Sequence, residues 1–215
     1  MMNAELNTTL RIPHSVFFLL NLGILLLAAG LLHKLPAFQR GDTKTFRYLH
    51  TRLQRSVGFF RFIWPLGTTP VAILLLLILY IPGWQIGLAA TLAYLCAALS
   101  ERGIKLKMQR PRPFESLPNV RMGQPKPPHD PSHPSGDSLR VWFLALIFPV
   151  AFGLSPWVYA LSLGTAASLS LGRIALGVHY PLDVLGGAGL GILFAGLAIL
   201  SYQLFTGLPS SIFSL

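Results

Sequence analysis

The sequence predicts an all-α integral membrane protein, a bundle of six transmembrane helices with an interfacial amphipathic helix after the first. Three observations predict this class. Of the 215 residues, 53% are hydrophobic and only 11% are charged, which is far from the composition of soluble proteins. Six apolar stretches have about the 17–25 residues that a helix needs to cross a bilayer. Between the first two stretches, basic and apolar residues alternate in a pattern typical of a helix lying at the membrane surface.

The six predicted spans follow from the hydropathy pattern along the chain. They are Val16–Leu32, Val57–Tyr80, Trp84–Leu99, Ser138–Leu154, Pro156–Val178 and Pro181–Phe205. The third span is the shortest, and we expect it to extend toward Lys105. Two spans begin with proline, which a helix tolerates at its first position. We find no internal repeat, and the chain is predicted to form one domain over residues 1–215.

Two connections carry most of the polar residues. The segment from Lys34 to Arg55 is the predicted interfacial helix, whose apolar residues include Phe38, Phe46, Tyr48 and Leu49. The connection over residues 101–136 is basic and contains eight prolines. Because proline interrupts helices, we expect this connection to be a loop.

The net charge of +10 would indicate a nucleic-acid partner in a soluble protein. In a membrane protein, basic loops instead indicate contact with anionic headgroups or an anionic substrate, so we expect the lipid bilayer and no nucleic acid as partners. Cys96 is the only cysteine, so a disulfide within the chain is excluded. The polar segment from Met1 to Pro13 is not typical of a signal peptide.

Three short segments share residues suited to binding phosphate. They are Lys105 to Pro113, Pro134-Ser135-Gly136-Asp137, and Arg173 to Asp183. In a six-span bundle, the loops after the first, third and fifth spans face the same side of the membrane. The spans therefore predict that all three segments meet on one face.

The cations among these residues predict an anion site. Lys105, Arg112 and Arg173 are suited to binding phosphoryl oxygens. Ser135 is a predicted N-cap with Gly136, Asp137 and Ser138 in the first turn, and the free amides of this helix start would receive a phosphate. The alternatives are an ordinary N-cap at Ser135 and loop charges that only set topology at the first two cations. Arg173 lies within an apolar span, where an arginine indicates function.

His179 and Asp183 predict a nucleophile and its partner. A carboxylate that accepts one imidazole N–H fixes the tautomer and leaves the other nitrogen free to attack. The alternative is an interface histidine whose N–H is bonded by a carboxylate. His129 and His133 lie in the same basic loop as possible accessory groups, and without cysteines or further acidic residues we expect no metal.

Taken together, these motifs resemble the type 2 phosphatidic acid phosphatase (PAP2) family, relatives of the vanadium haloperoxidases and glucose-6-phosphatase. The family pattern is Lys, six residues, Arg-Pro; then Pro-Ser-Gly-His; then Ser-Arg, five residues, His, three residues, Asp. The matching positions run from Lys105 to Asp183, and the six-span layout extends the resemblance to the whole chain. The chain differs at Gly172, where the family has Ser or Thr, and at Asp137, where it has histidine.

The resemblance implies a lipid phosphate or diphosphate phosphatase without a cofactor. In this interpretation His179 attacks phosphorus to form a phosphohistidine, and Asp183 orients it. The phosphate would be bound by Lys105, Arg112, Arg173, Ser135 and Gly136. Asp137 occupies the position of the family residue that protonates the leaving group, with His133 and His129 as possible substitutes.

Two other functions stay open at this point. The same residues would serve a lipid phosphotransferase, and a relative that has lost turnover would only bind or transport an anionic lipid. We expect a multi-pass protein of the cell membrane. Basic residues are concentrated in the first and third loops, whereas the opposite face shows Arg11 alone, which predicts a cytoplasmic active site. Many bacterial members of the family have the opposite orientation.

Overall fold

A computed structural model describes residues 14–206, and within them all regular structure is helical. The helices are α1 (His14–Leu31), α2 (Pro36–Leu53), α3 (Val57–Ile63), α4 (Thr69–Ile78), α5 (Trp84–Met108), α6 (Pro113–Ser116), α7 (Gly136–Ala151), α8 (Pro156–Ala175) and α9 (Pro181–Thr206). The all-α prediction is confirmed. The N-terminal segment to Pro13, including Arg11, lies outside the described residues.

Helix α9 is the centre of the bundle and packs against α1, α5 and α7. Its glycines permit two close approaches of backbone to backbone. A Cβ atom at Gly189 would overlap the backbone of Leu27 on α1, and one at Gly191 would overlap the carbonyl oxygen of Leu139 on α7. Small residues let membrane helices pack in this way, so α9 is fixed between its neighbours along two faces.

The second predicted span is broken into two short helices. Helix α3 ends at Ile63, a 3-10 turn covers Trp64–Gly67, and α4 starts at Thr69. The break bends the chain by 51°. Pro65 and Pro70 each lack the N–H that a continuous helix would need at those positions. The other five predicted spans are continuous helices, and α5 continues past Lys105 to Met108 as expected.

Two of the described helices meet a strict test of length and hydropathy for crossing a membrane. They are α1 with its following turn (His14–Lys34) and α9, and the bent segment Pro36–Gly67 with α4 would make a third. Large apolar side chains cover the outside of the bundle, among them Trp157 at 85% and Phe62 at 82% exposure. An apolar exterior of this kind suits contact with lipid chains.

Helix α2 connects the first span to the rest of the bundle. Residues Asp42, Phe46 and His50 are buried at a spacing of four, so they form one stripe along the helix. Arg40 and Lys44 are exposed. The expected amphipathic helix is present, but its buried stripe contains two polar residues that hydropathy alone did not indicate.

Candidate active site

The three phosphate-binding segments meet at one end of the bundle. Lys105 lies near the C-terminus of α5, Ser135 is the N-cap of α7, and His179 lies in the link between α8 and α9. Asp183 is in the first turn of α9. The structure therefore brings the predicted residues together on one face, as the order of the spans required.

His179 is buried, with 2% of its surface exposed. Its Nε2 atom lies 3.1 Å from Nη1 of Arg112. Burial, together with the positive charge of Arg112, lowers the pKa of His179 to about 3. An arginine can only donate, so Nε2 accepts this hydrogen bond and the proton of the neutral ring is on Nδ1. The imidazole thus keeps a lone pair on the nitrogen beside the cation.

Asp183 is fully buried and accepts hydrogen bonds on both oxygens. Oδ2 accepts from Oγ of Ser132 at 2.5 Å and from the backbone N–H of Tyr180 at 2.9 Å. The distance from Oδ2 to Nδ1 of His179 is 3.9 Å, which is beyond a hydrogen bond. Oγ of Ser132 lies 3.5 Å from the same Nδ1, so this hydroxyl stands between the predicted pair.

Arg110 is the second partner of Asp183. Its guanidinium forms ion pairs of 2.6 Å with Asp183 and 2.6 Å with Asp42, and it lies over the ring of Tyr180. Asp42 also accepts the backbone N–H of Leu182 at 3.0 Å. These three ionic side chains are almost completely buried, and they attach α2 to the start of α9.

Two of the predicted phosphate-binding cations contact the same carboxylate. Lys105 and Arg112 both form ion pairs with Asp130, the latter at 2.8 Å. Lys105 is also paired with Glu101 at 2.6 Å. Although burial alone raises the pKa of Asp130, the charges of Lys105 and then Arg112 lower it to about 2. Asp130 is therefore ionised at neutral pH.

Arg173 is buried at the C-terminal end of α8. It forms an ion pair of 2.9 Å with Asp137 and donates to Oε1 of Gln124 at 2.5 Å. Among the described residues, no hydrogen-bond acceptor lies in suitable geometry for its Nε group, whereas Nη1 is the atom paired with Asp137. One buried N–H donor is thus directed at no acceptor, which is the condition in which it would bind a phosphoryl oxygen.

Asp137 is held by two arginines. Arg140 donates to Oδ1, and Arg173 is paired with Oδ2. The Nε of Arg140 also donates to the carbonyl oxygen of Gly67 at 2.8 Å, at the bend of the second span. Asp137, which occupies the position of the family's proton donor, is therefore part of an ionic network.

Ser135 and Gly136 form the start of α7. Ser135 is an N-cap whose Oγ accepts from the N–H of Ser138 at 3.4 Å, and its own N–H donates to the carbonyl oxygen of Asp183 at 2.9 Å. A Cβ atom at Gly136 would overlap the carboxylate of Glu101, so a larger residue there would displace the end of that side chain.

The two accessory histidines lie in different places. His133 is fully buried, with Nδ1 3.3 Å from Asp183 and its ring 4.4 Å from that of His33. His129 is exposed in the loop. Within residues 14–206, no group of three or more His, Cys, Asp or Glu is arranged to hold a metal ion.

Sequence reasoning missed the polar partners of the predicted residues. These are Asp42, Arg110, Gln124, Asp130 and Ser132. Each is at least 18 residues distant in sequence from the residue it contacts, and all but Asp42 lie in the connection over residues 101–136. Spacing carried no signal for them, although Arg110 stands in the same Arg-Pro-Arg-Pro run as Arg112.

Comparisons with known proteins find related sequences and structures. The family model of the PAP2 superfamily matches residues 82–206. The crystal structure of a transmembrane PAP2-type phosphatidylglycerolphosphate phosphatase from Bacillus subtilis is similar in fold, with a TM-score of 0.69 and 22% identity over 89% of this chain and 97% of that chain. The crystal structure of Aquifex aeolicus LpxE gives a TM-score of 0.65 and 28% identity, over 73% of this chain and 93% of that chain.

One curated relative is an undecaprenyl-diphosphatase from Sulfolobus acidocaldarius. It is 33% identical over 108 residues, which are 50% of this chain and 50% of the relative. The chain thus spans about half the length of this relative.

Proposed function

Because the chain belongs to the PAP2 superfamily, we propose that it removes phosphate from a membrane lipid phosphate or diphosphate through a phosphohistidine intermediate. The observation that carries this proposal is the environment of His179. A buried neutral imidazole presents an unprotonated Nε2 beside Arg112, at 3.1 Å, among side chains suited to a phosphoryl group. This is the arrangement expected of an activated nitrogen nucleophile.

In the first step, Nε2 attacks phosphorus while the bond to the leaving oxygen breaks. The imidazole becomes positively charged, and its Nδ1–H is directed at Ser132 and, beyond it, at the Asp183 carboxylate. That carboxylate offsets the new charge through the hydroxyl. In the second step, water attacks phosphorus, the P–N bond breaks, and orthophosphate leaves with His179 neutral again.

Positive charge at the phosphoryl oxygens supplies most of the catalysis. Phosphoryl transfer depends chiefly on positioning and on neutralising charge. We assign this role to Lys105, Arg112 and Arg173, with Ser135 and the backbone amide of Gly136 at the start of α7. The unpartnered Nε–H group of Arg173 supports its place among them.

The leaving group decides which substrates suit this site. An aspartate engaged by two guanidinium groups is a poor proton donor, and Asp137 is engaged by Arg140 and Arg173. The leaving group from a lipid diphosphate is a phosphate, whereas the leaving group from a monophosphate is an alkoxide. The phosphate depends less on protonation than the alkoxide does. The name of the Sulfolobus acidocaldarius relative also points to diphosphates, so we propose a lipid diphosphate as the preferred substrate.

The test is release of inorganic phosphate by the purified protein from paired lipid monophosphates and diphosphates. We expect release from at least one pair, faster from the diphosphate. Transfer of phosphate to a lipid acceptor without release would show the phosphotransferase instead. Binding without either reaction would show a relative that has lost turnover.

A further inference from the structure

Asp130 is placed where it competes with substrate for two cations. Its carboxylate accepts from Lys105 and, at 2.8 Å, from Nη2 of Arg112. Both cations are themselves buried, whereas half of the Asp130 side chain is exposed. The Asp130 carboxylate therefore accepts, from the side of the loop, the N–H donors that would bind the phosphoryl oxygens.

The other carboxylates near the site are held differently. Glu101 contacts Lys105 from one helical turn away on α5, where its side chain is 12% exposed and packs against Gly136. Asp137 is 15% exposed and is bound by two arginines. Asp130 instead lies in an irregular segment between Pro128 and Pro131. Of these three, Asp130 is the one that lies outside a helix, and its side chain is the most exposed, at 50%.

We propose that Asp130 is an internal counter-ion that the substrate phosphate displaces and that returns as orthophosphate departs. This inference rests on the proposed function, because it concerns the same phosphate site. A carboxylate and a phosphoryl group need the same N–H donors of Lys105 and Arg112, so the two compete. A phosphate carries about −1.5 to −2 charges near neutral pH and three acceptor oxygens, which lets it replace a carboxylate of charge −1.

As a consequence, the site binds phosphate more weakly than Lys105 and Arg112 would without Asp130. Substrate and product orthophosphate both have to displace Asp130, so both bind more weakly than they would to free cations. For a site with several buried cations, weaker retention of the product favours turnover. Asp130 is thus a residue that adjusts affinity, and the reacting atoms do not depend on it.

Equilibrium binding of inorganic orthophosphate to the detergent-purified protein, measured by calorimetry, tests this without relying on turnover. Asp130→Asn keeps the size of the side chain but not its charge. We expect orthophosphate to bind about threefold to tenfold more tightly to this variant, the range expected for loss of one competing charge-assisted contact. Asp130→Ser should behave alike, and Asp130→Glu should stay near wild type.

Glu115→Gln is the matched control. Glu115 lies in the same loop and is exposed, and its Oε2 accepts from the backbone N–H of Arg112, not from the guanidinium. The substitution changes the loop charge by the same amount and should leave orthophosphate affinity unchanged. An equal rise in orthophosphate affinity in Glu115→Gln would show that the effect comes from the overall charge of the loop. That result would overturn the proposal.

Weaker or unchanged binding in Asp130→Asn and Asp130→Ser would also overturn the proposal. It would indicate that Asp130 holds the two cations in position. In variants that release phosphate from a lipid, KM and the product inhibition constant should fall by the same factor. If no lipid is hydrolysed, the proposed function fails, while the orthophosphate titration still decides the role of Asp130.

Discussion

At the residue scale, the proposed chemistry of the site depends on one imidazole staying neutral among charged side chains. His179 is buried beside Arg112, and both factors disfavour a second proton on the ring. The cation that we propose to hold the phosphate therefore also keeps Nε2, the proposed nucleophile, unprotonated. Ser132 then separates the imidazole from its carboxylate, so the partner of Nδ1 is a hydroxyl oriented by Asp183.

The nucleophile can be tested directly. His179→Ala should reduce phosphate release by a factor on the order of 10³ or more, with the protein still folded and inserted in the membrane. Radiolabelled substrate should leave an acid-labile, base-stable phosphoryl group on the wild type only. Normal turnover in the variant would exclude the phosphohistidine mechanism.

The pH dependence of stability also follows from His179. Its pKa is about 3 in the folded protein against an ordinary 6.5, so between these values the unfolded chain binds a proton that the folded protein does not. Stability is therefore lost as pH falls from 6.5 toward 3. In thermal unfolding, the wild type should lose more stability than His179→Gln between pH 7 and pH 4. Parallel losses would show that folding does not lower the pKa of His179.

We expect Asp137 to discriminate between leaving groups. Asp137→Asn should cost little on a lipid diphosphate and much more on the monophosphate, since only the latter depends on the proton that Asp137, although a poor donor, can supply. Asp137→His should raise the monophosphate rate near neutral pH. Both variants are to be assayed on paired substrates across pH. Equal losses on both substrates, with no pH shift, would assign Asp137 to the ionic network with Arg140 and Arg173.

At the element scale, α2 is more than a surface helix, because its buried stripe forms ionic contacts with the site. Asp42 and Arg110 are buried together, and removing one partner of such a pair leaves an uncompensated charge. Asp42→Asn should therefore destabilise the protein by about 3–5 kcal/mol, measured by thermal unfolding in detergent. Lys44→Gln, on the exposed side of α2, is the control and should change little. A small effect of Asp42→Asn would mean that water replaces Asp42 at Arg110.

Hydropathy and proline positions were sufficient to predict most helices, but not how the second span is divided. The run from Val57 to Tyr80 is apolar throughout, so its composition resembles one span. The break depends on two prolines on either side of Thr68 and on the contact of Gly67 with Arg140. The contact of Gly67 with Arg140 is a tertiary contact, which sequence periodicity does not predict.

The site was predictable where residues share a short motif and unpredictable where they meet across the bundle. Lys105, Arg112, His179 and Asp183 stand at spacings that indicate phosphate chemistry. Their partners do not, because an ion pair such as Arg110 with Asp42 joins positions 68 residues apart. Such contacts are determined by the rotamers of the side chains and by the relative positions of several helices.

At the scale of the whole molecule, orientation in the membrane is still a prediction from loop charge. The α2 segment and the proline-rich loop lie at the active-site end, and basic residues there favour the cytoplasm. In a Cys96→Ser background, cysteine at position 44 or 122 should be labelled only from the cytoplasmic side. Cysteine at position 155, in the exposed link between α7 and α8, should be labelled only from outside. The reverse pattern would place the active site outside the cell.

The buried group of Asp42, Arg110 and Asp183 has a consequence for the order of assembly. During synthesis Asp42 emerges well before Arg110, and Asp183 emerges last. A carboxylate without its cation is costly to remove from water, so α2 has to stay at the aqueous interface until α5 and the residues after it have been made. The final seating of α2 therefore coincides with completion of the catalytic end, and a chain that stops early keeps this helix undocked.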